Sequence, residues 1–232
     1  MMSNILIVES KNDKIFIEKL IEILNFDNIE IDEPICVDDY ECLDGWSKTA
    51  IIRALKSLSA SLPKKNITKI GIVIDQDKHT KEQKLNLINE CVDQVFTKSA
   101  ILNDVSSLIE VKSNFDISLQ LGCYFTNVNQ QGDLDTLLKA IKTQDSDYAD
   151  CLESWRNCIK EQEKTISNED FDKFWINNYI RFDTCLKKES SQAYRKCSMY
   201  NFDYILENKS HIFDFDNPVL DEIKAFLKLF KD

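Results

Sequence analysis

Glycine and proline are scarce in this chain, at four and three of 232 residues. That leaves no stretch from which a flexible tether could be built, so its parts are expected to dock on one another. Histidine is scarcer still. His79 and His211 are the only two, and neither has a serine or cysteine beside it in a recognisable catalytic motif, so each reads as an ordinary surface or half-buried side chain. No apolar run approaches the ~18–20 residues that span a bilayer. The opening residues MMSNILIVES lack the basic segment, long apolar stretch and small-residue cleavage site of a secretory signal, and a cytoplasmic protein without membrane contact is expected. Neither a G-x-x-x-x-G-K-[ST] sequence nor a glycine-rich dinucleotide fingerprint occurs, which argues against a P-loop and against a nicotinamide or flavin site.

Positive charge is the remaining shortage, the formal net charge being −11. A protein that coats nucleic acid through a broad basic face would carry the other sign. An enzyme whose acids surround metal ions beside a local basic patch is compatible with it. Cysteine, by contrast, is plentiful, with eight at positions 36, 42, 91, 123, 151, 158, 185 and 197. No two form a C-x-x-C pair, which disfavours structural zinc. Reduced, mostly buried cysteines acting as small apolar residues are expected.

What is present reads as strands alternating with helices. NILIVES is a buried strand ending at Glu9; Phe16, Ile17, Leu20, Ile21 and Leu24 recur at helical spacing after it. Ser10 followed by Asp13 resembles a capping box. Residues 29 to 37 read as a second strand, with Pro34 favouring an edge or a break, and a helix is expected from about Trp46 to Leu62. ITKIGIVID is the third strand, HTKEQKLNLINECVDQVF a helix, SLQLGCYFTNV a strand, and GDLDTLLKAIK a helix start. Such alternation predicts an α/β fold with a mostly parallel sheet flanked by helices. Residues 1–146 are assigned to this core, and the aromatic-rich, helical residues 147–232 to a C-terminal extension packed on it.

In such folds, sites gather at the carboxyl ends of strands. Glu9, Asp75, Asp77 and the Asp133/Asp135 pair all fall there. In an extended chain residues i and i+2 point to the same side, so Asp75 and Asp77 would converge and repel each other without a cation or proton between them. Carboxylates without a histidine base suit Mg²⁺ or Mn²⁺ and phosphoryl chemistry. Each acid also has a structural reading. Asp75 or Asp77 could cap the following helix, Asp13 could be a cap acid, Glu9 a first-turn acid favoured by the macrodipole, and Asp133 and Asp135 caps of DLDTLLKAIK.

VES-KND at the first strand, VIDQD at the third and QQGDLDTLL after a later one resemble the Toprim fold of topoisomerases, DnaG-type primases, maturation nucleases and OLD-family nucleases. The resemblance, over residues 4 to 142, is to compact bacterial and archaeal Toprim-like proteins related to the OLD nuclease domain. Their pattern runs E-G-x-x-D, D-x-D and G-x-L-E. Glu9, Asp13, Asp75 and Asp77 match its acids, while Ser10 replaces a glycine and Asp135 a glutamate. The resemblance implies Mg²⁺-dependent nuclease activity on DNA or RNA. Glu9 would be the general acid/base or a metal ligand, Asp75 and Asp77 metal ligands, and Asp135 the support of a second ion. It also implies a late catalytic lysine, for which Lys188 is chosen. Arg181, Lys187, Arg195 and Lys196, on the helix predicted in RFDTCLKKESSQAYRK, would bind substrate; a solvated helix face is the alternative. Tyr194 and Tyr200 could stack on bases or pack in a core. An antiviral defence setting with a separate ABC-type ATPase is a further implication, and a homo-oligomer is left open. The competing classes are a Toprim-like binding or regulatory module without chemistry, favoured by Ser10 and Asp135, and a phosphatase or receiver-like domain in which Asp75 is the nucleophile.

Overall fold

The computed structural model describes residues 3–36 and 48–231; Trp46 and the end of the strand expected over 29–37 lie outside them. The chain forms two compact units, Met1–Thr126 with Leu220–Asp232, and Asn127–Val219. The first holds a six-stranded sheet of β1 (Ser3–Val8), β2 (Ile29–Ile31), β3 (Ile67–Asp75), β4 (Thr97–Lys98), β5 (Ile109–Lys112) and β6 (Ser118–Thr126), in the order β2-β1-β3-β6-β5-β4. Strands β2, β1, β3 and β6 pair in parallel, and β5 runs against both β6 and β4. The helices are α1 (Lys11–Leu24), α2 (Lys48–Ser61) and α3 (Lys81–Asp93) in the first unit. In the second are α4 (Leu134–Ala140), α5 (Asp147–Glu161), α6 (Asn168–Asn178), α7 (Ala193–Lys196) and α8 (Phe202–Asn208), and α9 (Asp221–Lys228) returns to the first. This is the α/β class expected, a mostly parallel sheet flanked by helices. No helix among the described residues is long and apolar enough to cross a membrane.

Strand β3 is central because its apolar run can be buried on both faces. Ile70, Ile72 and Ile74 join Leu55 and Leu58 of α2 and Ile88 and Val92 of α3 in one core cluster. On the other face Gly71 leaves room for Leu6 and Phe230; a Cβ there would stand 2.4 Å and 2.8 Å from them. The residues after α9 are also held by hydrogen bonds, from Asn4 Nδ2 to Phe230 O (2.6 Å) and from Lys69 Nζ to Leu229 O (2.7 Å).

Four expectations are corrected. Strand β2 stops at Ile31, ahead of Pro34, although Ile35 N–H and Cys36 N–H still donate to the carbonyls of Val8 and Glu9, both at 3.0 Å. The division of the chain falls at 126/127 and 219/220 instead of 146/147. Helix α4 packs on α6 and is tied to it by Lys139 Nζ and Thr136 Oγ1 on the Asp172 carboxylate (2.8 and 2.9 Å), whereas α9 packs on β6. The basic stretch is no continuous helix. It breaks into a π turn (Tyr179–Asp183), a 3-10 turn (Lys187–Gln192) and α7, with Leu186 extended between them. A disulfide joins Cys185 to Cys197 across this break, so these two are not reduced thiols, and Cys151 and Cys158 are exposed; Cys91 and Cys123 are free and buried as expected.

The second unit has its own core, in which Phe171, Trp175, Tyr179, Phe202 and Ile205 are fully enclosed. Tyr179 spans it, its hydroxyl donating to Ile212 O (2.9 Å) and accepting from Gln144 N–H (3.0 Å).

Candidate active site

Glu9 follows β1 directly and is half-buried. Its Oε2 accepts the backbone N–H of Asp75 at 2.9 Å, which joins the ends of the neighbouring strands β1 and β3. The next residue, Ser10, caps α1. Asp13 N–H donates to Ser10 Oγ (3.2 Å), and the N–H and hydroxyl of Ser10 donate to Asp13 Oδ2 (2.9 and 2.6 Å). Asp13 therefore is the cap acid, and capping holds its buried charge close to Glu9.

The same capping logic removes one reading of the D-x-D pair. Helix α3 is capped by Thr80 and Gln83, through Gln83 N–H to Thr80 Oγ1 (3.2 Å) and Thr80 N–H to Gln83 Oε1 (2.9 Å). Neither Asp75 nor Asp77 does that work. The extended-chain argument for their convergence needs correcting too, since β3 ends at Asp75 and Asp77 has left-handed backbone, φ 55°; aspartate is among the residues that tolerate it.

A residue that sequence reading passed over completes the group. Lys84 of α3 is fully buried and its Nζ lies 2.8 Å from Asp77 Oδ2, with the Asp77 side chain 21% exposed. The signal was its helical phase: Lys84, Ile88 and Cys91 share one buried face, so this lysine points inward among apolar residues. His79, expected to be a surface or half-buried side chain, lies near this group. It is half-buried within electrostatic reach of Lys84 and Asp77; burial, then the Lys84 ammonium, holds its pKa below the ordinary value, so its imidazole is neutral at pH 7.

These charges do not balance. Burial first, then the Asp13 carboxylate, with Asp77 adding to them, raises Glu9 from 4.5 to about 7 against the opposing Asp75 N–H and Lys84. One carboxylate oxygen, Asp75 Oδ1, is buried and takes no hydrogen bond among the described residues, although Asp75 itself is engaged by other interactions. The donors here are all carboxylate oxygens, the chemistry that Mg²⁺ or Mn²⁺ prefers, but no three of them lie within 4.8 Å of one another among the described residues, so a bound cation would have to draw them together.

The other sequence-selected residues belong to the second unit. Asp133 caps α4, accepting Thr136 N–H at 3.0 Å, and Asp135 is half-buried in its first turn. Lys187, Lys188 and Arg195 are exposed, and Arg181 and Lys196 half-buried. Cys185, Glu189 and Cys197 there offer donor atoms within 4.8 Å of one another, but the sulfurs are joined and Lys209 Nζ holds Glu189 Oε2 at 3.2 Å.

A protein-family model, DUF3226, described as a protein of unknown function, matches residues 3–232. No curated protein and no solved structure matches the chain.

Proposed function

The chain belongs to the DUF3226 family, and from that premise we propose that its first unit is a Toprim-type centre for divalent-cation-dependent hydrolysis of phosphodiesters in nucleic acid. The observation that carries this reading is that Glu9, hydrogen-bonded to Asp75 N–H where β1 and β3 end, lies within electrostatic reach of Asp13, Asp77 and the buried Lys84 that pairs with Asp77. Asp75 and Asp77 would hold Mg²⁺ or Mn²⁺, with Glu9 either a further ligand or the general acid/base. Bound there, the cation would polarise a phosphoryl oxygen and offset charge on the leaving oxygen. Where it does not ligate the ion, Glu9 would take a proton from water and return it to the leaving group. Lys84 holds a fixed positive charge beside the acids, where it can offset phosphate charge. It takes the role first sought at Lys188. The separate ATPase and the defence setting rest on the resemblance alone.

The test is cleavage of a panel of transfer RNA, single-stranded DNA and plasmid DNA in Mg²⁺, Mn²⁺ or EDTA, comparing wild type with Asp75→Asn/Asp77→Asn and Glu9→Gln. Metal-dependent cutting lost in both variants is expected. The Lys84–Asp77 ion pair favours one other reading, a binding module in which the ammonium stands where a metal would. Calorimetric titration with Mn²⁺ separates the two, because that module takes up no metal.

A further inference from the structure

We propose that the second unit carries a binding site for unpaired nucleic acid strands, in the cleft between the π turn Tyr179–Asp183 and α7. Two rings lining it are open to solvent, Phe182 at 53% and Tyr194 at 66%, as is Tyr200 at 70%, which adjoins Tyr194. Tyr194 and Tyr200 stack on each other, centroids 5.2 Å apart, and their backbone is pinned. Asn201 Nδ2 donates to Tyr194 O (3.0 Å), Tyr200 N–H to Ser198 Oγ (3.2 Å), and the disulfide at Cys197 lies between them in sequence. A fixed, exposed aromatic stack is a platform on which a flat base can lie.

The cleft measures about 360 Å³ and is lined by Asn177, Asn178, Arg181, Phe182, Tyr194 and Ser198 among others, a volume within the range of small-molecule sites. Both asparagines give their amide N–H groups to their own helix, at Lys173 O and Phe174 O (2.8 Å each). Their side-chain carbonyl oxygens are thereby left as acceptors, suited to the exocyclic amines of bases. The charge is complementary as well. Residues 173–200 carry six cations and two acids, Asp183 and Glu189, in a chain of net charge −11. Both acids are committed, Asp183 to the N–H groups of Tyr148 and Ala149 (2.9 and 3.0 Å) and Glu189 to Lys209.

Rings, acceptors and cations together select a partner with flat faces, amine donors and a polyanionic backbone. A duplex hides its base faces, and an acidic peptide has no bases to stack. As a statement about substrate the inference rests on the proposed hydrolysis; as a statement about binding it stands on this unit's residues alone.

The experiment reads binding without cleavage: fluorescence anisotropy of a labelled oligonucleotide of about 16 nucleotides, with the full chain in EDTA. The single strand, the matching duplex and polyglutamate are compared at low and moderate salt. The single strand should bind tightest, and Tyr194→Ala/Tyr200→Ala should weaken it tenfold or more, on the scale of one to two lost stacking contacts. Tyr194→Phe/Tyr200→Phe should restore it, and Arg181→Ala/Arg195→Ala should flatten its salt dependence. No binding at low salt, tighter binding of the duplex or polyglutamate, or an alanine variant within twofold of wild type would overturn the proposal. Cleavage without ring-dependent binding overturns this inference alone, whereas ring-dependent binding without cleavage in Mg²⁺ or Mn²⁺ overturns only the hydrolase reading.

Discussion

Lys84 in the first unit and Lys209 in the second are both buried, and they live in opposite electrostatic company. Lys209 Nζ meets one carboxylate, Glu189 (3.2 Å), and the Thr184 carbonyl (2.8 Å). Burial alone would raise Glu189, but the hydrogen bonds from Leu186 N–H and Lys209 outweigh it and its pKa falls below the ordinary value. Lys84 meets Asp77 with Glu9 and Asp13 close by, and there Glu9 rises to about 7. One lysine closes a balanced pair that holds a fold together. The other leaves a surplus of negative charge that a further cation can satisfy.

Removing each lysine is the strongest way to break that comparison. Lys209→Met should lower stability by about 3–5 kcal/mol, since the buried Glu189 carboxylate loses its partner, and Lys84→Met by less, since Asp77 is 21% exposed. The loss at Lys209 corresponds to a fall in melting temperature of roughly 10 °C in a chain of this size. Scanning calorimetry with added Mn²⁺ should show a larger stabilisation of Lys84→Met than of wild type, and none beyond the wild-type shift for Lys209→Met. Equal rescue of both variants would erase the distinction.

The pH dependence sharpens it. Glu9 binds its proton more tightly folded than unfolded, so its contribution is fully present below pH 4.5 and is lost as pH rises through about 7. Urea denaturation in EDTA should show a loss on the order of 3 kcal/mol across that window, and Glu9→Gln should remove it. Glu189 works the other way. Its contribution is present above its ordinary pKa and is lost as acid protonates the folded carboxylate. A wild-type profile that is flat from pH 5 to 8 would contradict the imbalance at Glu9.

The smallest effect concerns Ser10. Ser10→Ala should cost about 1 kcal/mol as the α1 cap is lost, and Ser10→Gly only a few tenths, measured as shifts in the urea midpoint at constant slope. A cost near zero for alanine would mean that Asp13 is held by something other than the capping box.

Much of this was legible in the sequence. β3 was marked at both ends by its own residues, and the Ser10/Asp13 spacing gave the α1 cap, because strand burial and capping are local signals. β4 and β5 were not, since two- and four-residue strands such as TK and IEVK carry too little period to read. Lys84 was hidden by its composition, a lysine in the polar opening of a helix, and only its phase with Ile88 and Cys91 betrays it. The left-handed turn at Asp77 and the break at Leu186 are single-residue departures that hydrophobic periodicity does not mark.

The discontinuity of the first unit has a consequence for synthesis. Residues 127–219 are translated before α9, and Gly71, Asn4 and Lys69 wait for Phe230 and Leu229 to cover and bond to them. On the ribosome the sheet therefore has an uncovered face while the second unit is being made. The acids at the ends of β1 and β3 can be set in a finished scaffold only after α9 has emerged, so any activity of theirs would wait for the synthesis of α9.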